Sequence, residues 1–246
     1  MLAVVLTFAA AGARARIDFP SVTDRAIGIR AGTGVFHRET TGPAWSVEAG
    51  DVELFGIAGL RVSGVRANGR AASLLAGLSI AQLSSPVGSE SRAELELGYR
   101  PSARWLCLAR GGIEMVSIPG TPGESAVVAG FHSRAQAGPI SAIADVDVVS
   151  RAGARDVELS IGLVGRIGAA SIVTTSRFDG NAVASVGIAV VSRFAGRLAL
   201  LAGYDDGTES IRGAAVVSFS CWQFDVGVFQ HAVLGVSQGV TISWLR

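Results

Sequence analysis

Apolar and polar residues alternate with a period of two along most of this chain. In 155-RDVELSIGLVG-165, Val157, Leu159, Ile161 and Leu163 alternate with Asp156, Glu158, Ser160 and Gly162. The same rhythm recurs in 92-RAELELGYR-100, where Leu95, Leu97 and Tyr99 oppose Glu94, Glu96 and Gly98. In 140-ISAIADVDVV-149, Ala142, Ala144, Val146 and Val148 oppose Asp145 and Asp147. Farther on, Trp222, Phe224, Val226 and Val228 alternate with Gln223, Asp225 and Gly227. A side-chain period of two is that of a β-strand with two unlike faces.

Read this way, the sequence predicts strands near 52–66, 70–83, 91–100, 103–118, 124–135, 139–150, 155–165 and 167–177. Others are expected near 181–193, 196–204, 209–219, 221–230 and 235–245, with one more in 25-RAIGIRAGTGVFHRE-39. Turn chemistry punctuates them at Asn68-Gly69, Arg100-Pro101, Pro119-Gly120, Gly138-Pro139, Asp179-Gly180-Asn181 and Asp206-Gly207. Residues 38–50 read as a loop, and 84-SSPVGSES-91 as a connection with a short helical turn. Connections this short impose antiparallel neighbours, because a parallel crossover needs about a dozen residues.

Composition decides where the apolar face points. The chain is 49% apolar and 17% charged, with mean hydropathy +0.45 and 32 glycines, yet it has no uninterrupted apolar run of the ~20 residues that a membrane helix needs. Apolarity dispersed by alternation is what spanning strands require. Opposite the apolar face stand mostly Gly, Ala, Ser and a few acids, a poor surface for a soluble sheet. Aromatics fall near strand ends at Phe55, Tyr99, Trp105, Phe178, Phe194, Tyr204, Phe219, Trp222 and Trp244, where interfacial rings belong. So many antiparallel strands also leave exposed edges unless the sheet closes. The expected fold is all-β, a closed antiparallel up-and-down transmembrane β-barrel of about 12–14 strands. A secreted or periplasmic soluble β-sandwich binding protein is the alternative, and it would bury its apolar face against a second sheet ~10 Å away.

The start, 1-MLAVVLTFAAAGARA-15, has the apolar run and Ala13-Arg14-Ala15 cleavage pattern of a secretory signal. Residues 16–246 then form one barrel domain. The basic residues are all Arg, 21 against 20 acids, giving a net charge of +1 and no basic tract for nucleic acid. Cys107 and Cys221 stand far apart without metal-ligand spacing and read as isolated small apolar residues, with a disulfide formed in an oxidising compartment as the alternative.

The blocks 92-RAELELGYRPSARWLCLARGGIEM-115 and 229-FQHAVLGVSQGVTISWL-245 resemble hairpins of bacterial outer-membrane β-barrels, and in particular barrels similar to the long-chain fatty-acid transporter family. The C-terminal strand pair is also similar in style to type IX secretion-associated barrel proteins. The resemblance implies an outer-membrane location, contact with outer-membrane lipid, insertion by the barrel-assembly machinery, and passage of a small-molecule solute. Two features depart from it. Val240, Ile242 and Trp244 are in phase as an outward face, but the next in-phase residue is Arg246, where those barrels end in an aromatic. About 35 residues between the signal and Asp51 are few for the plug of the fatty-acid transporters.

In such a barrel Glu94, Glu96, Glu114, Asp145, Asp147, Asp156, Glu158 and Asp225 would face the lumen, with Arg61, Arg110 and Arg212 to pair with them. Acidic rings would select cations, whereas paired charges would brace and solvate the interior, and the second reading is preferred. An enzyme would need one of His37, His132 or His231 beside a hydroxyl or carboxylate. No nucleophile turn, phosphate loop, zinc spacing or calcium loop accompanies them, so neither catalysis nor a cofactor is expected. His132 is placed near a strand end.

Overall fold

A computed structural model describes residues 45–246, apart from 121, 152–153, 180–181, 195–196, 207–209, 232–234 and 246. The segment holding the expected signal sequence and the strand at 25–39 lies outside the described residues. Fourteen strands follow one another: β1 (Trp45–Glu53), β2 (Arg61–Ala71), β3 (Leu74–Ser85), β4 (Gly88–Ser102), β5 (Trp105–Ser117), β6 (Glu124–Ala137) and β7 (Ile140–Arg151). The second half comprises β8 (Ala154–Ile167), β9 (Ala170–Asp179), β10 (Ala182–Phe194), β11 (Leu198–Asp205), β12 (Ser210–Phe219), β13 (Trp222–His231) and β14 (Gly235–Leu245). Each is antiparallel to its chain neighbours, and β1 pairs with β14, from Ser46 opposite Leu245 to Glu53 opposite Gln238. The sheet is a closed up-and-down barrel without a free edge. A single closed sheet excludes the sandwich, which needs a second sheet to cover its apolar face.

Alternation assigns the faces. Val157, Ile161 and Leu163 are exposed, as are Leu95, Leu97, Tyr99, Trp222, Phe224, Val226 and Val228. Their strand neighbours of opposite parity, among them Glu94, Asp225 and Val164, are buried. Large apolar side chains therefore cover the outside, and polar ones are turned in. The inside is not wholly polar, because Val52, Leu54 and Val62 form a buried apolar cluster beneath Leu60 and Leu83. Ala126, Val128 and Val149 form another.

The two barrel ends differ. At one end lie the start of β1, the end of β14 and two- or three-residue turns such as 72–73, 103–104, 138–139 and 168–169. Longer connections lie at the other end, including 54–60 and 118–123. All four tryptophans (Trp45, Trp105, Trp222 and Trp244) belong to the short-turn end, with Tyr99, Phe194 and Phe219. Trp222 and Trp244 are directly opposite on β13 and β14.

Four expectations about elements need correction. The strand at 52–66 is the end of β1, a turn over 54–60 and the start of β2. The loop at 38–50 contains the first half of β1, because Trp45, Val47 and Ala49 face out while Ser46 and Glu48 face in. Asn68-Gly69 lies inside β2: Asn68 Nδ2 donates to Ser46 Oγ at 3.3 Å, and the Trp45 ring covers Gly69, where a Cβ would meet it at 2.7 Å. The helical turn at 84–91 is a tight hairpin turn. The Ser85 hydroxyl accepts from Val87 N at 3.3 Å and donates to Gly88 O at 2.9 Å, a local closure typical of Ser in turns. Both cysteines are free, Cys107 on β5 and Cys221 in the β12–β13 turn.

Candidate functional site

Apart from β3, which has none, the inward faces of β2 to β8 carry an arc of charged side chains, and strand pairing brings them together in a way the linear sequence hides. Glu94 on β4 is buried beside Arg92, two residues earlier on the same face. Arg92 Nη2 donates to Glu94 Oε1 at 2.5 Å, and each side chain is 1% exposed. Neighbouring Glu96 receives Arg66 of β2, whose Nε donates to Asn68 Oδ1 at 3.1 Å. Arg110 of β5 grips Asp147 of β7 in a fork: Nε–Oδ1 is 2.8 Å and Nη2–Oδ2 is 2.5 Å. Such two-point guanidinium–carboxylate contacts are both strong and orienting. His132 Nδ1 lies 2.8 Å from Asp145 Oδ1, across the β6–β7 pairing.

Two of these contacts leap over a strand. Arg66 and Glu96 stand on either side of β3, and Arg110 and Asp147 on either side of β6. At each crossing the intervening strand presents glycine: Gly77 pairs with both Asn68 and Glu96, and Gly130 with both Arg110 and Asp147. A Cβ on Gly130 would sit 2.3 Å from Asp147 Oδ1 and 2.4 Å from Arg110 Nε. On Gly77 it would sit 2.6 Å from Asn68 Oδ1 and 3.1 Å from Glu96 Oε2. Glycine is needed at both positions for space, since neither has a positive φ.

Of the remaining sequence candidates, Glu114 is buried on β5 in register with Arg92. Asp225 is buried on the far arc, on β13, where Gln223 Nε2 donates to its Oδ1 at 2.8 Å. Asp156 and Glu158 lie on β8 and Arg212 on β12, but their side chains fall outside the described residues. Arg61 is not inside: parity turns Val62 inward, so Arg61 stands at the rim and forks onto Asp51, with side chains 60% and 40% exposed. Sequence reasoning did not single out Arg66, Arg92 or Arg134 as partners. Arg92 was detectable, because its i, i+2 spacing to Glu94 puts both on one strand face.

The His132 geometry bears on catalysis. The histidine lies mid-strand in β6, not at a strand end as expected, and it meets a carboxylate. In register, His132 faces Asp145, and Asp145 faces Ser160 on β8. The carboxylate thus sits between imidazole and hydroxyl, whereas activating a serine requires the imidazole in the middle. On its other side His132 faces Leu108. His37 and the His231 side chain lie outside the described residues. Among the described residues, no group of three or more His, Cys, Asp or Glu could hold a metal.

No protein-family model matches the chain, and no curated protein matches it in sequence. Solved structures do resemble it in shape. Omp33, an outer-membrane protein of Acinetobacter baumannii, aligns with TM-score 0.57 at 9% identity, covering 84% of this chain and 100% of that one. The toluene transporter TodX of Pseudomonas putida aligns with TM-score 0.56 at 8% identity, over 84% of this chain and 91% of its own. A KdgM porin in complex with disordered oligogalacturonate aligns with TM-score 0.50 at 8% identity, over 81% and 98%. At these identities the likeness is one of architecture, and the chain has the fold of bacterial outer-membrane β-barrels.

Proposed function

We propose that this protein is a passive outer-membrane channel for small solutes, with its path lined by the charged arc of β2 to β8. The observation that carries the reading is the inversion of faces in a closed barrel: exposed Leu, Ile, Val and aromatic residues outside, ion-paired Arg, Glu and Asp within. Water would be a poor solvent for that exterior, and lipid a good one. Of the proposed lining, Glu96, Arg110 and Asp145 keep partial exposure toward the path, Glu94, Glu114, Asp147 and Asp225 are buried in its wall, and Asp156, Glu158 and Arg212 complete it.

Export through a signal within residues 1–15, a single domain over 16–246, and insertion by the barrel-assembly machinery belong to the same reading. The architecture is shared with a toluene transporter and with a porin holding an oligogalacturonate, which supports solute passage without choosing the solute. The likeness to fatty-acid-transporter-like barrels belongs to this proposal too. A link to type IX secretion has no support beyond the style of the last strand pair. Short turns face the periplasm and longer loops the exterior in such barrels, which would put the tryptophan-bearing end inward. Catalysis has no place in this reading, because the hydroxyl in the His132 row adjoins the carboxylate instead of the imidazole.

The test is electrophoretic mobility of detergent-extracted protein, boiled against unboiled, followed by conductance in planar bilayers. A heat-dependent shift with stepwise conductance is expected. A soluble product without a shift would overturn the membrane reading, and a shifting barrel without conductance would reduce it to a structural component.

A further inference from the structure

Arg66, Arg92 and Arg110 each meet one interior carboxylate, and beyond these pairs the two ends of the barrel differ in charge. At the short-turn end, neither the turns nor the three strand residues flanking each of them contain Asp or Glu. The same zone holds Arg70, Arg100, Arg104, Arg166, Arg193 and Arg197. By strand parity Arg70 and Arg166 point inward, near the ends of β2 and β8; Arg134 of β6 stands slightly deeper between them, Arg100 lies where the β4–β5 register shifts between Tyr99 and Ser102, and Arg104 and Arg197 are exposed in turns. Alternate strands are about 10 Å apart, so these guanidinium groups form an arc around half the mouth.

Among the described residues no carboxylate pairs with Arg100, Arg104, Arg166 or Arg197; the one side-chain bond from this group is Arg100 Nε to Ser102 O at 3.3 Å. Glu48, on β1 beside β2, and Asp225, on β13, are the nearest inward acids, each one residue deeper than this zone. The strand ends at the other mouth carry Asp51, Glu53, Glu90, Glu124, Asp156, Asp179 and Asp205 against Arg61, Arg151, Arg155, Arg177 and Arg212, with Asp206 in a turn. Guanidinium groups without a carboxylate partner, such as Arg100, Arg104, Arg166 and Arg197, concentrate anions beside a low-dielectric wall, and their forked donors match carboxylate and phosphate oxygens.

We infer that the short-turn mouth is an anion-capture site, making the channel select small carboxylate- or phosphate-bearing solutes over cations. This reverses the cation preference that the interior acids alone would suggest. It rests on the channel reading only for passage, not for binding.

The deciding experiment is the reversal potential of purified barrel in neutral-lipid bilayers under a potassium chloride gradient. A severalfold preference for chloride is expected, falling toward unity in Arg100→Gln/Arg166→Gln, with Arg61→Gln at the acidic end as the control that leaves it unchanged. Binding is read separately, as the rise in unfolding temperature of the folded barrel in detergent with citrate or inorganic phosphate at constant ionic strength. Protection lost in the double variant supports the site even in a barrel that does not conduct, an outcome that would sink the channel reading alone. The relative effects of citrate and phosphate tell the two oxygen chemistries apart. Cation preference in the unaltered protein, or protection equal in the double variant, overturns the proposal.

Discussion

Adjacent glycines on β5 show how unequal two neighbouring positions of a barrel wall can be. Gly112 faces inward, and a Cβ there would lie 2.2 Å from the Ala93 carbonyl oxygen and 3.0 Å from Glu94 Cα. Gly111 faces outward, with nothing within 4 Å. Backbone cannot yield as a side-chain tip can, so Gly112→Ala should cost about 2–3 kcal/mol through overpacking. Gly111→Ala should fall within about 1 kcal/mol of the parent. Urea unfolding of the refolded barrel measures both, and equal losses would refute the assignment of faces. Gly130→Ala is an intermediate case, because the atoms it displaces belong to the Arg110 and Asp147 side chains and not to backbone. If that pair acts as one unit, Arg110→Ala and Asp147→Ala will be non-additive by about 1–3 kcal/mol in a double-mutant cycle. Additivity would mean that the fork contributes nothing as a pair.

Among the elements, the seam between β1 and β14 closes the barrel, and a turn reinforces it. Phe55 N donates to Ser237 Oγ at 2.9 Å, on a hydroxyl that is buried in β14. Ser237→Ala should therefore destabilise by about 1–2 kcal/mol. Ala49 and Ile242 are directly opposite across the seam, close enough for a disulfide between paired antiparallel residues. Cysteines placed at both should crosslink on mild oxidation, and cysteines at Ala49 and Val240 should not. Failure of the first pair would deny closure. The seam is also where the sequence is hardest to read. Val52, Leu54, Leu60, Val62 and Gly64 share one parity, so alternation runs unbroken through the 54–60 turn and merges two strands into one. The turn is made by Phe55, Gly56 and Gly59 at positive φ, and a phenylalanine in that conformation is not a signal that composition provides. Asn68-Gly69 misleads in the opposite sense, because Trp45 and Ser46 of β1 absorb a dipeptide that elsewhere makes turns. From β4 onward, where turns are short and phases change at them, the strands are legible to within a few residues. Which charges meet is not legible, since Arg66–Glu96 and Arg110–Asp147 each depend on two successive registers and on the glycine between.

For the whole molecule, the distribution of tryptophan along the barrel axis fixes how it should sit in a bilayer. Strands of 10 or 11 residues such as β2, β9 and β14, rising ~3.3 Å per residue and tilted by roughly 40°, span about 25–28 Å of height. That matches the hydrocarbon layer of an outer membrane, and it puts both rows of strand ends at the headgroups. All four tryptophans stand at one of these rows, where an amphipathic ring keeps its body in the acyl region and its N–H in the interface. The opposite row holds exposed acids and no tryptophan. In reconstituted vesicles, intrinsic tryptophan emission should be quenched efficiently by lipids brominated near the headgroup and weakly by lipids brominated at the chain ends. Removing Trp105 or Trp222 by substitution with Phe should lower the intensity without shifting the depth profile, since the remaining rings occupy the same level. Quenching that peaks at the bilayer centre would place the short-turn end inside the hydrocarbon, where its arginines could not stay charged at reasonable cost. The membrane span would then have to be redrawn around a different part of the barrel.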